Sequence, residues 1–129
     1  MANPNIVSVT GITAGSLGWN LPTGGLVNLI SPASNYLLKI NRIVVANVDG
    51  SSAADVDVAL ITTTSFANTT VTGADATTYL AKTISVPADA SLVISDTPIY
   101  VRETDTLQAN ASASGDLDLI ITFELLTDV

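Results

Sequence analysis

Twelve carboxylates against four cations, with no histidine and no cysteine, bound the chemistry open to this 129-residue chain. The most suggestive acids are Asp49, Asp55 and Asp57, with Asp116 and Asp118 further on. Gathered at one rim they would offer calcium the carboxylate and carbonyl oxygens that a hard cation takes from loops. The competing reading is that an Asp at every second position marks the solvated face of a strand and blocks edge pairing. No EF-hand spacing is present, so the second reading is preferred and no metal site is expected. Glycoside hydrolysis also uses two carboxylates, but in a cleft with aromatic platforms for the sugar. This chain has one Trp, three Tyr and two Phe, and Phe66, Tyr79, Tyr100 and Phe123 read as core residues. Serine is abundant, yet without histidine there is no Ser-His base. A Ser-Lys pair would have to recruit Lys39 or Lys82, which read as ordinary strand residues. Gly24-Gly25 and Gly15-Ser16-Leu17-Gly18 lack the strand-before, helix-after context of a phosphate loop. The expectation is a chain with no catalytic residue, no cofactor and no enzymatic activity.

The elements that would position these residues are strands. A chain of this length forms one domain and can fold on its core alone. The missing cysteines exclude disulfide frameworks and thiolate metal sites. Residues 1–35 hold three of the five prolines and five of the eight glycines, interleaved with short apolar pieces such as Ile6-Val7 and Leu26-Val27. This reads as an extended N-terminal arm carrying one or two short strands, with residues 36–129 as the body.

From Tyr36 to Val48 the chain is β-branched and long enough to bend midway. Asp49-Gly50 then turns it. Asp55 to Ile61 alternates, sending Val56, Val58 and Leu60 inward. Thr62 to Thr78 reads as a long loop. Strands follow at Tyr79–Val86, Leu92–Ile94 and Ile99–Val101, separated by Pro87-Ala88-Asp89 and Asp96-Thr97-Pro98. Leu107, Ala109, Ala111 and Ala113 share one side of the next strand, and Leu117, Leu119, Ile121, Phe123 and Leu125 one side of the last. Seven to nine strands with turn signals roughly every ten residues predict an all-β fold: an antiparallel β-sandwich, jelly-roll-like or immunoglobulin-like.

Charge narrows the partners. Lys39, Arg42, Lys82 and Arg102 make no basic stripe on a chain of net charge −8, so neither nucleic acid nor a membrane surface is expected. No apolar run reaches the roughly 18–20 residues of a transmembrane helix, and Met-Ala-Asn-Pro-Asn does not read as a secretory signal. Few Lys and Glu beside many Ala, Thr and Val suggest more apolar surface than a monomer needs, hence a homo-oligomer or a docked surface. Trp19 in the arm reads either as an anchor into a neighbour or as a lid over its own sandwich. Arg42 invites Glu103 or Glu124 as a partner, or keeps its head at a rim.

Residues 39–58, Val86-Pro-Ala-Asp-Ala-Ser-Leu-Val-Ile, Pro98-Ile-Tyr-Val-Arg-Glu-Thr-Asp-Thr-Leu-Gln-Ala-Asn-Ala and Asp116-Leu-Asp-Leu-Ile-Ile-Thr-Phe-Glu together resemble small virion structural proteins of tailed bacteriophages, including those of marine cyanobacteria. The resemblance spans residues 39–126 and lies in strands and turns. It implies a sandwich on the virion, foremost a capsid decoration or cement protein on the outer surface of the shell. The partners would be the major capsid protein or other virion proteins, with a trimer as the favoured homo-oligomer and assembly in the host cytoplasm. Ile6, Val7, Trp19 and Leu21 would then make the arm's contacts with neighbours. The alternative is a tail, neck or fibre component, such as a trimeric knob that attaches to the host through the 62–78 loop.

Overall fold

A computed structural model describes residues 9–62 and 76–128. They form nine strands: β1 (Gly11–Asn20), β2 (Val27–Ile30), β3 (Tyr36–Asn47), β4 (Ala54–Thr62), β5 (Ala76–Val86), β6 (Ser91–Ser95), β7 (Ile99–Val101), β8 (Thr106–Ala111) and β9 (Leu117–Thr127). No described residue is helical.

Two antiparallel sheets face each other. One runs β1-β9-β3-β6, with β7 also pairing β3; the other runs β2-β8-β4-β5. The chain changes sheet at nearly every connection. If β6 and β7 are taken as one strand interrupted at Asp96-Thr97-Pro98, the eight-strand order is that of a jelly roll, which decides between the two expected topologies.

The core is made by alternation. Val56 and Val58 on β4, Leu107 and Ala109 on β8, and Leu119 and Ile121 on β9 are fully buried between the sheets, as their spacing predicts. Leu60 is only half-buried. The bend expected in β3 is a β-bulge. Ile40 pairs with Phe123 and Arg42 with Thr122, so Asn41 is an extra residue. The inward set accordingly switches from Leu38 and Ile40 to Ile43 and Val45. Tyr79 and Tyr100, expected in the core, are exposed: β5 and β7 lie at sheet edges, and both rings project from the outer faces. Phe123 does pack against the core, whereas Phe66 lies outside the described residues.

The arm also needs correction. From Gly11 onward its described part belongs to the sandwich, because β1 pairs along its whole length with β9 and β2 pairs with β8. Glycine spares β1 a tight contact with β9: at Gly15 a Cβ would sit 3.3 Å from the Phe123 ring. Of the expected 62–78 loop, Thr62 ends β4 and residues 76–78 open β5; the remainder lies outside the described residues.

Asn47, at the end of β3, ties three segments together. Its buried amide donates to the Ser52 and Val86 carbonyls at 2.9 Å each, and its Oδ1 accepts the Asp49 N–H at 2.9 Å. Asn47→Ala strands a buried carbonyl and releases the turn, so it should cost about 2–3 kcal/mol. Urea denaturation at constant m-value would measure this.

Candidate functional site

Three of the five acids singled out in the sequence have structural tasks. Asp49 Oδ1 accepts the Ser51 N–H and hydroxyl, both at 2.9 Å, holding the β3–β4 turn. Asp57 accepts the Thr83 N–H at 2.6 Å, where Thr83 takes a left-handed φ of 53° in a bulge of β5. The Asp118 carboxylate accepts from the Asn20 amide at 2.8 Å. Loops carrying Asp49, Asp89 and Asp116 do meet at one end of the sandwich. There the Asp89 N–H donates to the Asp49 carbonyl, and the Val48 N–H to that of Asp116. Among the described residues, however, no three acids are grouped as metal ligands. Asp49, Asp55 and Asp57 stand apart because Asp55 and Asp57 lie along β4 while Asp49 holds the turn before it.

The Ser51 N–H and hydroxyl hold the Asp49 carboxyl below its ordinary value of 3.8. A depressed carboxylate stabilises the fold above its unfolded pKa and loses that contribution as the pH falls through the folded value. The melting temperatures of wild type and Asp49→Asn should therefore differ at neutral pH and converge in acid below 3.8. A constant gap across that range would contradict the assignment.

The cations are divided. Lys39 lies 3.9 Å from Glu124. Lys82 sits over the Tyr79 ring at 4.5 Å. Arg42 is exposed, turned outward by the bulge, and among the described residues it is joined by an ion pair to neither expected acid: Glu124 pairs with Lys39, and Glu103 accepts the Asn35 N–H. Arg102 is buried in the turn between β7 and β8. Its Nε and Nη2 lie 3.2 and 3.4 Å from the two carboxylate oxygens of Asp105, and backbone bonds between the two residues close the turn.

Among the described residues, two exposed apolar groups stand out. Across the outer face of the β1-β9-β3-β6 sheet, Gly18, Ile120, Val44 and Val93 stand in one cross-strand row, with Ile120 and Val93 exposed. Beside it lies an open depression of about 300 Å³ lined by Gly18, Trp19, Asn20, Asp118 and Ile120. Tyr79, Leu80 and Ile84 make a second exposed group on β5.

Of the expected arm contacts, Ile6 and Val7 lie outside the described residues. Trp19 is half-buried opposite Leu119 and packs against its own core, as the lid reading had it. Leu21 must be withdrawn as a partner contact. It is 0% exposed, and its N–H donates to the Leu117 carbonyl of its own chain. The apolar row escaped sequence reading because its members come from four strands, and only the register assembles them. The chain matches no protein-family model and no curated protein.

Proposed function

We propose that this protein is a structural protein of a bacteriophage virion, a capsid decoration or cement protein bound to the outside of the major capsid shell. The observation that carries the reading is the apolar row across the outer face of one sheet, a flat adhesive surface on a β-sandwich. The sequence resemblance over residues 39–126 supports the virion setting, and jelly rolls recur in capsid proteins, although a fold alone carries no function. Each bound copy would add interface that must be broken before the shell opens, stabilising the closed particle by mass action.

The test is copy number per particle, by quantitative mass spectrometry of purified virions against the major capsid protein. Copies on the order of hundreds fit a shell that repeats its sites by symmetry. A dozen or fewer would replace this reading with the tail, neck or fibre position, and absence from the particle would overturn both. In a binding assay with isolated shells, Ile120→Asp should weaken adhesion at least tenfold if the row is the contact. Removing residues 1–8 tests Ile6 and Val7 separately.

A further inference from the structure

The four sheet edges are not treated alike. β2 is four residues long and shifts register against β8. The β6–β7 edge is interrupted at Pro98 and shifted against β3. β5 is long but is broken by two register shifts, a left-handed Thr83 and Lys82. These are the devices by which edges avoid pairing with other chains. β1 has none of them. It runs ten residues in unbroken register with β9, from Gly11↔Thr127 to Asn20↔Asp118, and contains no charge and no proline. Ile12 is 63% and Leu17 47% exposed, so both faces of this strand carry an exposed apolar side chain.

We propose that β1 pairs antiparallel with β1 of a second copy about a two-fold axis at Gly15, joining two sheets into one. Three observations select a second copy as the occupant. First, a chain of net charge −8 repels itself wherever acids meet, and β1 is a charge-free strip. Second, the register about Gly15 sets large residues against small ones: Ile12 faces Gly18, Trp19 faces Gly11, and Leu17 faces Thr13. Third, the backbone phase agrees. The Leu21 N–H bonds to Leu117, its opposite residue, so the alternation of an antiparallel pair turns the N–H and C=O of Ile12, Ala14, Ser16 and Gly18 away from β9. Under the two-fold these residues meet one another, Ile12 with Gly18 and Ala14 with Ser16, and each donates and accepts. Identical edges close in twos, in place of the trimer expected from the resemblance. The pairing does not depend on the virion reading.

Sedimentation equilibrium of the full chain at micromolar concentration should give twice its 13.2 kDa mass. Ala14→Pro removes an outward N–H that β9 does not use, which an edge strand tolerates, and should yield a folded monomer. Ala14→Lys should do the same by charge if the proline disturbs folding. Thr13→Cys combined with Leu17→Cys, in a chain without other cysteines, places thiols opposite each other at about 4.5 Å between Cα atoms, and should give a covalent dimer on mild oxidation. A wild-type monomer or trimer would overturn the proposal, as would a dimer that survives both Ala14 variants or a cysteine pair that fails to cross-link.

Discussion

A chain reduced to residues 36–129 is expected not to fold. The truncation removes β1 and β2, one edge strand from each sheet, and leaves β9 and β8 with bare backbone edges. It also takes Leu21 out of the core, where it is fully buried, together with Trp19, Leu29 and Ile30, which pack against the core. Burial of a leucine alone is worth about 1.5–3 kcal/mol, and a domain has only about 5–15 kcal/mol in total. The loss of this group and of two strands should exceed that reserve. The truncated chain should be insoluble or lack a cooperative melt, whereas a chain lacking only residues 1–8 keeps every strand described above and should melt cooperatively. A cooperative transition in the 36–129 fragment would show that the body is complete without its first two strands.

The largest single-residue effect is expected at Asp105. Its side chain is 3% and that of Arg102 8% exposed, so Asp105→Ala takes a carboxylate away from a guanidinium almost sealed from water. The same change removes the acceptor for the Arg102 N–H, at 3.1 Å, and opens the β7–β8 turn. Breaking a buried pair on one side costs about 3–5 kcal/mol. Asp105→Asn should recover part of this, because its carbonyl oxygen still accepts the N–H. Replacing both residues, as Arg102→Met with Asp105→Leu, should cost less than Asp105→Ala alone, since the penalty lies in breaking a buried pair on one side. Guanidinium denaturation of the three variants measures the difference. A loss below about 1 kcal/mol for Asp105→Ala would mean that the pair is effectively hydrated.

The sequence carries the strands because alternation is a local property. Val56 and Val58, or Leu119 and Ile121, declare an inward face within a few residues of chain, and each break bears turn chemistry. The bend in β3 is legible too, since the apolar parity changes near Asn41. What is not legible depends on partners far away in sequence. Nothing in Gly11–Asn20 reveals that it lies against Leu117–Thr127, so a glycine-rich strand resembles a loose arm and Leu21 resembles an exposed anchor. Tyr79 and Tyr100 fail for the converse reason. An aromatic residue in a strand is read as core, but on an edge strand it has open solvent on one face. The Arg102–Asp105 pair is not legible, because nothing in that run of polar residues shows that the two side chains are buried. The apolar row is the extreme case, being defined wholly by register.

The pairing of β1 with β9 also sets a clock. Thr10 and Thr127, 117 positions apart, are joined by hydrogen bonds, so β1 must wait for β9. At translation rates of about 5–20 residues per second the wait is roughly 6–23 s, far longer than a hairpin needs to form. During that interval β1 lacks the strand it pairs with in the folded protein. Nascent chains on one messenger hold many such strands close together, and folding at the ribosome becomes a competition between the intramolecular partner still to be synthesised and identical strands already within reach.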